Sequence, residues 1–253
     1  MIVFTRAIPA SLSRCELTHL SRDHIDVARA AAEHRRLEHL LKELGCRLKR
    51  VMPAPALPDS AFVEDIAVAL PEVAILTRPG ASSRRHEVAG VAEALRSYRP
   101  LVCLTRPATL DGGDVLRVGD RIFVGRSGRT NEEGIRQLAA IVKPLGYDVT
   151  PVPVEACLHL KTGVSQVASG TLLINPKWID TGAFADCATI EIHPEEPYAA
   201  NALRVGNGVV YPVHFPRTRK RLEDSGVGVH TVELSELSKA EAGVTCCCIL
   251  LEE

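Results

Sequence analysis

This chain of 253 residues has few aromatic residues and almost no excess of charge of either sign. Only 4% of the residues are aromatic, and 30 Lys and Arg against 31 Asp and Glu leave a formal net charge of −1 at pH 7. Proteins that bind nucleic acids usually carry a basic surface, and often aromatic side chains on which bases stack. The composition therefore argues against a nucleic-acid partner.

Long apolar runs are absent too. No stretch approaches the roughly 18 consecutive apolar residues of a membrane span, and the first residues, Met1–Arg6, lack the features of a signal peptide. With 46% hydrophobic and 24% charged residues, the composition is that of a soluble globular protein that can bury its core without disulfide bonds. We therefore predict no membrane partner and a cytoplasmic location.

The eight cysteines do not form a pattern typical of disulfide or metal frameworks. Five are scattered, none belongs to a C-x-x-C pair, and the adjacent Cys246, Cys247 and Cys248 are poorly spaced to bind one tetrahedral ion. This last group runs into Ile249–Leu251, whose apolar residues favour a buried strand. We predict that the stretch 243–251 ends in a buried strand whose mouth holds a cysteine facing a cavity, and that most of the scattered cysteines are small buried residues.

A strand–turn–strand, helix and returning strand recur along the chain with a period of roughly 40–50 residues, as in arrays whose units share a core. The second strands of four hairpins end near Leu76, Val124, Ile174 and Val213. Helices are predicted over about 23–44, 85–98, 132–145 and 218–225.

The strand at 2–5, its long loop and the first helix supply a further unit, making about five. Closing such units into a ring leaves only short, protected strand edges. We predict one α/β propeller-like domain over residues 1–253, with an active site on the axis where loops converge. An ordinary open α/β sheet is the alternative.

Three candidate catalytic side chains fall in separate repeats, so a ring would bring them together at its axis. Cys246 is a candidate nucleophile, but a thiol with a pKa of about 8.5 needs a neighbouring cation or base to react at neutral pH. His159 can supply that base, and Asp111, beside two glycines, can orient the imidazole. The alternatives are a hydrogen-bonded structural histidine, an ordinary Asp-Gly turn and buried structural cysteines.

Two further groups of charged residues suit an arginine-like substrate. Carboxylates in the segment 58–65 could accept paired hydrogen bonds from a planar guanidinium, although a solvated turn is the simpler interpretation. Arg84 and Arg129 lie in loops after successive hairpins and could bind a carboxylate bidentately, but surface arginines are common.

Motifs along nearly the whole chain resemble those of the dimethylarginine dimethylaminohydrolases, a family of the pentein or guanidine-modifying superfamily. They are Asp26–Ala30, Pro58–Asp65, Thr77–Arg85, Thr109–Leu116, Val124–Asn131, Leu158–Lys161 and Gly243–Cys247. The resemblance implies a five-bladed αβ propeller. It also implies hydrolysis of Nω-methylated arginines to citrulline and a methylated amine through a covalent cysteine thiouronium, with neither a metal nor an organic cofactor.

The resemblance assigns roles to individual residues. It implies that Cys246 is the nucleophile, His159 the general acid/base and Asp111 its carboxylate partner, with Cys247 and Cys248 facing elsewhere along the strand. Substrate binding is implied for Asp59, Glu64, Asp65, Arg84 and Arg129, for Phe62 as an apolar wall, for Leu17 in a lid loop and for the backbone carbonyl of Ala240. Glu241 lies where the family pattern leads us to expect an aspartate beside the guanidinium.

Three other functions are compatible with parts of this pattern. An arginine deiminase would share the fold and the three catalytic residues but release ammonia, and such enzymes usually carry a helical insert for which this chain has no room. A zinc- or redox-sensing protein would use Cys246–Cys248 with His159. A scaffold that only binds arginine-like ligands would need no catalytic residues. We expect a small-molecule substrate as the partner, and a homodimer is the assembly to test.

Overall fold

The structure, a computed structural model, describes residues 1–252, which form five three-stranded sheets. The strands are β1 (Ile2–Thr5), β2 (Arg47–Arg50), β3 (Ala67–Ala69), β4 (Ala74–Leu76), β5 (Leu101–Cys103), β6 (Val115–Val118), β7 (Arg121–Arg126), β8 (Asp148–Pro153), β9 (Val164–Ala168), β10 (Thr171–Ile174), β11 (Ala188–Glu191), β12 (Leu203–Val205), β13 (Gly208–Pro212), β14 (Gly228–Val232) and β15 (Ile249–Leu251).

Each sheet has the same order, in which an inner strand pairs antiparallel with a middle strand and the middle strand pairs in parallel with an outer one. Parallel neighbours require a crossover connection, and a helix supplies it in every sheet. The α-helices are α1 (Val27–Glu43), α2 (Val88–Leu95), α3 (Glu132–Val142), α4 (Leu160–Gly163), α5 (Pro216–Asp224) and α6 (Ser235–Ser238). Between β10 and β11 the crossover is a 3₁₀ helix, Thr181–Phe184.

The two ends of the chain close the ring. Strand β15 is the inner strand of the sheet that begins with β1, and Ile2 pairs with Leu251. Such closure protects edges that would otherwise be open to other chains. We number the sheets as blades 1 to 5, with inner strands β15, β3, β6, β9 and β12.

Residues from all five inner strands line a channel of about 340 Å³ on the axis of the ring. The apolar cores also cross from blade to blade, since Phe4 of blade 1 packs in one cluster with Leu76 and Leu95 of blade 2. No blade therefore buries its own core alone, as expected for repeats that share cores. The predicted five-bladed αβ propeller is confirmed.

Some predicted boundaries were wrong. Helix α1 begins at Val27, not near residue 23, because the Asp26 side chain caps it by accepting a hydrogen bond from the Arg29 N–H at 3.0 Å. The helix predicted over 85–98 is a 3₁₀ turn, Ser82–Glu87, followed by the shorter α2. No helix within residues 1–252 is long and apolar enough to cross a membrane.

The largest difference concerns the cysteine run. Cys247 and Cys248 are expected along the strand, but it begins only at Ile249, and residues 244–247 form a turn in which the Cys248 N–H donates to the Thr245 carbonyl at 3.0 Å. Cys246 therefore lies on a turn before the strand. Cys247 and Cys248 are buried, as expected for packing residues.

Candidate active site

The candidate catalytic groups share one position in the fold, the segment just before an inner strand. Because the inner strands run in the same direction around the axis, these segments meet at one end of the channel. They contain Glu64 and Asp65 before β3, Asp111 before β6, His159 before β9, Asn201 before β12 and Cys246 before β15. Middle strands run the opposite way, so the loops after them, which carry Leu17, Arg84 and Arg129, reach the same end.

His159 is hydrogen-bonded to the predicted carboxylate. Its Nε2 lies 3.0 Å from Oδ2 of Asp111, whose other oxygen accepts the Gly80 N–H at 2.9 Å. Burial disfavours the imidazolium, but the neighbouring carboxylates of Asp65, Asp111 and Asp114 outweigh it and raise the pKa of His159 to about 9. The imidazole is therefore protonated at neutral pH and can act as a general acid.

Gly113 explains part of the Asp-Gly-Gly-Asp motif. A Cβ at this position would lie 2.6 Å from Nδ1 of His159 and 2.8 Å from Oδ1 of Asp65. The Gly113 N–H also donates to the same Asp65 oxygen at 3.0 Å. Only glycine lets the backbone pass between these two side chains, so this residue keeps the imidazole and the carboxylate close together.

Asp114, at the end of the motif, connects two parts of the site. It is completely buried and accepts hydrogen bonds from the Ser127 and Thr130 hydroxyls, at 2.6 and 2.7 Å, and from the Leu160 N–H at 2.9 Å. Burial raises its pKa to about 6. Asp114 thereby ties the backbone beside His159 to the loop that carries Arg129.

Cys246 is partly exposed, and its Sγ accepts the Gly243 N–H at 3.3 Å. Desolvation, followed by the charges of Glu64 and Asp65, raises the pKa of the thiol to about 12. The thiol is therefore neutral at physiological pH while the site holds no ligand. The sequence suggested that His159 would activate it, but desolvation and then the charges of the two carboxylates keep the thiol protonated.

Glu64 belongs to a polar network that sequence reasoning missed. Lys161 donates to Oε1 of Glu64 at 2.5 Å, and the Thr245 hydroxyl donates to Oε2 at 2.7 Å. The Asn201 amide in turn donates to Thr245 Oγ1 at 3.0 Å and to the Lys161 carbonyl at 2.9 Å. Burial raises the pKa of Glu64, and Lys161 partly offsets this. Aligning the repeats would have shown Lys161 and Asn201 before their inner strands.

Arg84 is buried among acceptors of the protein itself. Its Nη1 lies 2.5 Å from Oδ2 of Asp65, while Nε and Nη2 donate to Glu87 at 3.1 and 2.9 Å. Nη2 also donates to the carbonyls of Asp59 and Phe62. Most N–H donors of Arg84 are thus already used. The residue therefore stabilises the segment that carries Asp59 and Asp65, a role that the sequence did not indicate. Despite burial, His159 and Arg84 hold the pKa of Asp65 at about 2.

Arg129 keeps more of its donors available. Its Nη2 donates to the Thr18 hydroxyl at 3.0 Å, and its Nη1 lies 3.9 Å from an Asp111 oxygen. This arrangement suits binding of a substrate carboxylate near the mouth of the site.

The loop that contains Leu17 covers the site and is held from two sides. The Glu16 N–H donates to the Asp59 carboxylate at 3.1 and 3.3 Å. The Glu241 carboxylate accepts the backbone N–H groups of Thr18, His19 and Leu20. Leu17 itself is partly buried against the apolar core.

Glu241 lines both cavities and also has an unusual backbone conformation. Among residues 1–252 it is the one non-glycine residue with a positive φ, at 58°, and that conformation is uncommon for a residue with a side chain. Its role beside a guanidinium stays a prediction, to which the structure adds the hydrogen bonds to the loop that contains Leu17.

Two cavities meet at the reacting residues. A small one of about 20 Å³ and a larger one of about 250 Å³ both have Cys246 and His159 in their walls. The loop that contains Leu17 also lines both, through Glu16 in the small cavity and through His19 and Leu20 in the large one. The small cavity is also lined by Asp59, Phe62, Asp65, Arg84, Arg129, Ala240 and Glu241, and the large one by Glu64 and Glu241. Leu17 and Asp111 line neither cavity.

One group within residues 1–252 has the spacing of metal ligands. Oxygen or nitrogen atoms of Asp65, Asp111 and His159 lie within 4.8 Å of one another. However, Asp65 is already paired with Arg84, and Asp111 is bonded to His159. The buried guanidinium next to these ligands would repel a cation, so the group suits proton transfer better than metal binding.

Known proteins are similar in sequence to this chain over nearly its whole length. The N(G),N(G)-dimethylarginine dimethylaminohydrolase of Pseudomonas aeruginosa is 35% identical over 249 residues, which cover 96% of this chain and 98% of that protein. This chain belongs to the dimethylarginine dimethylaminohydrolase family. The enzyme of the same name from Streptomyces coelicolor is 39% identical over 239 residues, covering 94% of this chain and 92% of its own length. No protein-family model matches the chain.

Solved structures agree with this membership. A mutant of the Pseudomonas aeruginosa family member, in complex with citrulline, superposes with a TM-score of 0.93 over 98% of both chains. The N-terminal domain of ArgZ, a cyanobacterial arginine dihydrolase, is only 20% identical but has a TM-score of 0.88 over 100% of this chain and 97% of that one. The second similarity shows the shared fold alone.

Proposed function

We propose that this protein hydrolyses Nω-methylated arginines to citrulline and a methylated amine. The observation that carries the proposal is the convergence of Cys246, the His159–Asp111 pair and two buried carboxylates at one end of the propeller axis. Membership of the dimethylarginine dimethylaminohydrolase family supports the same chemistry.

In the proposed complex, Glu64 and Asp65 accept hydrogen bonds from the guanidinium, Asp59 adds a third carboxylate, and Phe62 forms an apolar wall. Asp65 is well suited because its low pKa keeps it ionised. At the other end of the substrate, Arg129 binds the α-carboxylate together with the remaining donor capacity of Arg84. The backbone carbonyl of Ala240 binds the ammonium group, and the loop that contains Leu17 closes over the substrate as a lid.

The substrate itself supplies the cation that Cys246 lacks. The thiol has a high pKa because of desolvation and the charges of Glu64 and Asp65. A guanidinium bound to those carboxylates neutralises them and places a positive charge beside the sulfur, which lowers the pKa of the thiol. The nucleophile therefore forms where the substrate is bound.

The reaction then follows in two stages. The Cys246 thiol first loses its proton to solvent. The resulting thiolate forms a C–S bond to the guanidinium carbon while a π electron pair moves onto a nitrogen. As this tetrahedral adduct collapses, the C–N bond to the methylated nitrogen breaks with its electron pair. His159 donates a proton to the leaving amine from Nδ1, because Nε2 is bonded to Asp111. A cysteine thiouronium remains.

In the second stage the deprotonated imidazole takes a proton from water, whose oxygen adds to the thiouronium carbon. The C–S bond then breaks and its electron pair returns to sulfur. The added hydroxyl loses its proton to solvent as it becomes the carbonyl oxygen, and citrulline is released. Two moderate barriers replace one high barrier, which is the usual advantage of covalent catalysis. Acid–base catalysis by His159 contributes about 10²–10⁴-fold if it is typical.

The test is citrulline formation from dimethylarginine, monomethylarginine and arginine offered side by side. We expect turnover of the methylated substrates and loss of turnover in Cys246→Ser, with Cys247→Ser as the matched control. Activity on arginine alone would favour the arginine-deiminase alternative, and an active Cys246→Ser variant would overturn the proposal.

The remaining assignments are also proposals. We infer that residues 1–253 act as one domain in the cytoplasm, without a metal or organic cofactor. A homodimer is the assembly that we would test, by light scattering of the purified protein.

A further inference from the structure

The rim of the site is charged on one side and aromatic on the other. The loops after the middle strands of blades 2 and 3 carry Arg84 and Arg129. The loop after the middle strand of blade 5 instead carries His214 and Phe215, whose ring centroids lie 4.3 Å apart. Next to it, the Tyr198 ring packs edge-on against Trp178 with a centroid distance of 4.9 Å. The loops at equivalent positions of the fold thus carry charged side chains on one side of the site and aromatic side chains on the other.

The larger cavity lies on the aromatic side. It measures about 250 Å³, against about 20 Å³ for the cavity that Arg84 and Arg129 line. A cavity of about 150 Å³ lined by apolar side chains is enough to bind benzene. The larger cavity is therefore far roomier than one or two methyl groups require.

This cavity is continuous with the reacting centre, because Cys246 and His159 form part of its wall. His159 is the group that protonates the departing amine under the proposed function. A substituent on the departing nitrogen is therefore adjacent to the cavity at the moment when the C–N bond breaks.

The walls away from the reacting centre are mainly apolar and neutral. Tyr198, Pro212, Phe215 and Leu20 line this part of the cavity, with the Ser238 hydroxyl and the rings of His19 and His214 as its polar groups. Burial lowers the pKa of His214, which favours the neutral form of that ring.

The charged groups of the lining already have partners inside the protein. Lys161 and Glu64 are paired with each other, and the Glu241 carboxylate is held by lid amides. The cavity therefore offers a neutral, apolar surface that an alkyl or aryl group would bury favourably.

We propose that this cavity is a second substrate subsite, which binds an alkyl or aryl substituent on the terminal guanidine nitrogen. The substrate class then extends from methylarginines to Nω-alkyl and Nω-benzyl arginines. This inference rests on the proposed function. The bonds that form and break are the same, so the products are citrulline and the corresponding primary amine, which receives its proton from His159.

The experiment compares Nω-methyl-, Nω-propyl- and Nω-benzyl-L-arginine, measuring both citrulline and the released amine. We expect kcat/KM for the propyl and benzyl substrates to lie within about tenfold of the methyl substrate. Turnover of the methyl substrate alone, or inhibition by the benzyl compound without citrulline, would overturn this inference while leaving the proposed function intact. No citrulline from any of the three would overturn both.

Two variants locate the subsite. Ser238→Phe fills the cavity and should lower kcat/KM for the benzyl substrate by about tenfold or more, while the value for the methyl substrate changes less than about twofold. Tyr198→Ala removes an aromatic wall that is 42% exposed and should also reduce the benzyl preference. Met52→Ala, at a side chain that is 71% exposed outside the cavity, is the matched control. Equal loss on all substrates in Ser238→Phe would show that the cavity is only a passage, and would overturn the subsite.

Discussion

The Glu241 carboxylate accepts the backbone N–H of Leu20 at 2.5 Å, across 221 positions of the chain. The same carboxylate accepts the N–H groups of Thr18 and His19, so one side chain holds three consecutive amides of the lid. Hydrogen bonds to a charged group contribute about 1.5–3 kcal/mol each. The closed position of the lid therefore depends on Glu241 to a degree that its exposed surroundings would not suggest.

Glu241→Ala should loosen the lid while the catalytic groups stay in place. Alanine also carries a Cβ, so the backbone strain at this positive φ is matched. We expect KM to rise by about tenfold with a smaller change in kcat, because 1.4 kcal/mol corresponds to one factor of ten. Steady-state kinetics measure the change in KM, and limited trypsin cleavage at Arg22 measures the loosening of the lid. Glu241→Gln, which keeps the length and an acceptor oxygen, should be milder; an unchanged KM in the alanine variant would contradict the role of the carboxylate.

Asp111→Asn should impair acid–base catalysis by His159 while keeping the packing around position 111. Oδ1 of asparagine can still accept the Gly80 N–H, but the amide nitrogen then faces Nε2 and cannot stabilise an imidazolium. We expect kcat to fall by about 10²–10⁴-fold. The pKa of His159, about 9 in the unmodified protein, should fall toward its ordinary value in an NMR titration. Asp120→Asn, at an exposed turn, is the control, and an unshifted His159 titration would count against the pairing.

The pH dependence of Cys246 alkylation tests the charge balance of the ligand-free site. With the pKa of the thiol raised to about 12, the thiolate fraction should grow about tenfold per pH unit from pH 7 upward, because it does so below any pKa. Mass spectrometry after iodoacetamide treatment can follow Cys246, with the exposed Cys103 as an internal reference. A plateau near pH 8 would show that the carboxylates do not control this thiol.

Local patterns in the sequence predicted the blades well, because each apolar hairpin and helix lies within one stretch of chain. Closure of the ring was harder, since the pairing of Ile2 with Leu251 joins the two ends and leaves no local signal. The turn that presents Cys246 was missed for a related reason. The apolar residues next to Cys246 favour a strand. Val244 and Cys247 are buried in a turn instead, and the same apolar residue types suit a buried turn.

Most of the motif residues line the cavities, although Leu17 and Asp111 line neither, and contacts between distant residues add partners that the sequence did not indicate. Glu241 and the loop that contains Leu17 are brought together only by the fold, so the hydrogen bonds between them left no local signal. Lys161 contacts Glu64 across 97 positions of the chain, so its importance could not be inferred from its own surroundings.

Lys161→Met should affect substrate binding through the protonation of Glu64. Burial already raises the pKa of Glu64, and Lys161 is the main group that opposes this shift. Without the ammonium group, the pKa of Glu64 should rise further, so a larger fraction of the carboxyl is protonated and fewer molecules can pair with a guanidinium. We therefore expect kcat/KM to be reduced at pH 7 and to recover as pH rises and Glu64 ionises.

Breaking this pair should also lower stability, because removing one partner of a buried ion pair costs roughly 3–5 kcal/mol. Thermal unfolding measured across the same pH range separates loss of folding from loss of binding. Lys161→Arg keeps the charge and is the matched control. The decisive comparison is the pH profile of kcat/KM: a Lys161→Met profile that falls in parallel with the unmodified protein at every pH would mean that Lys161 does not act by keeping Glu64 ionised.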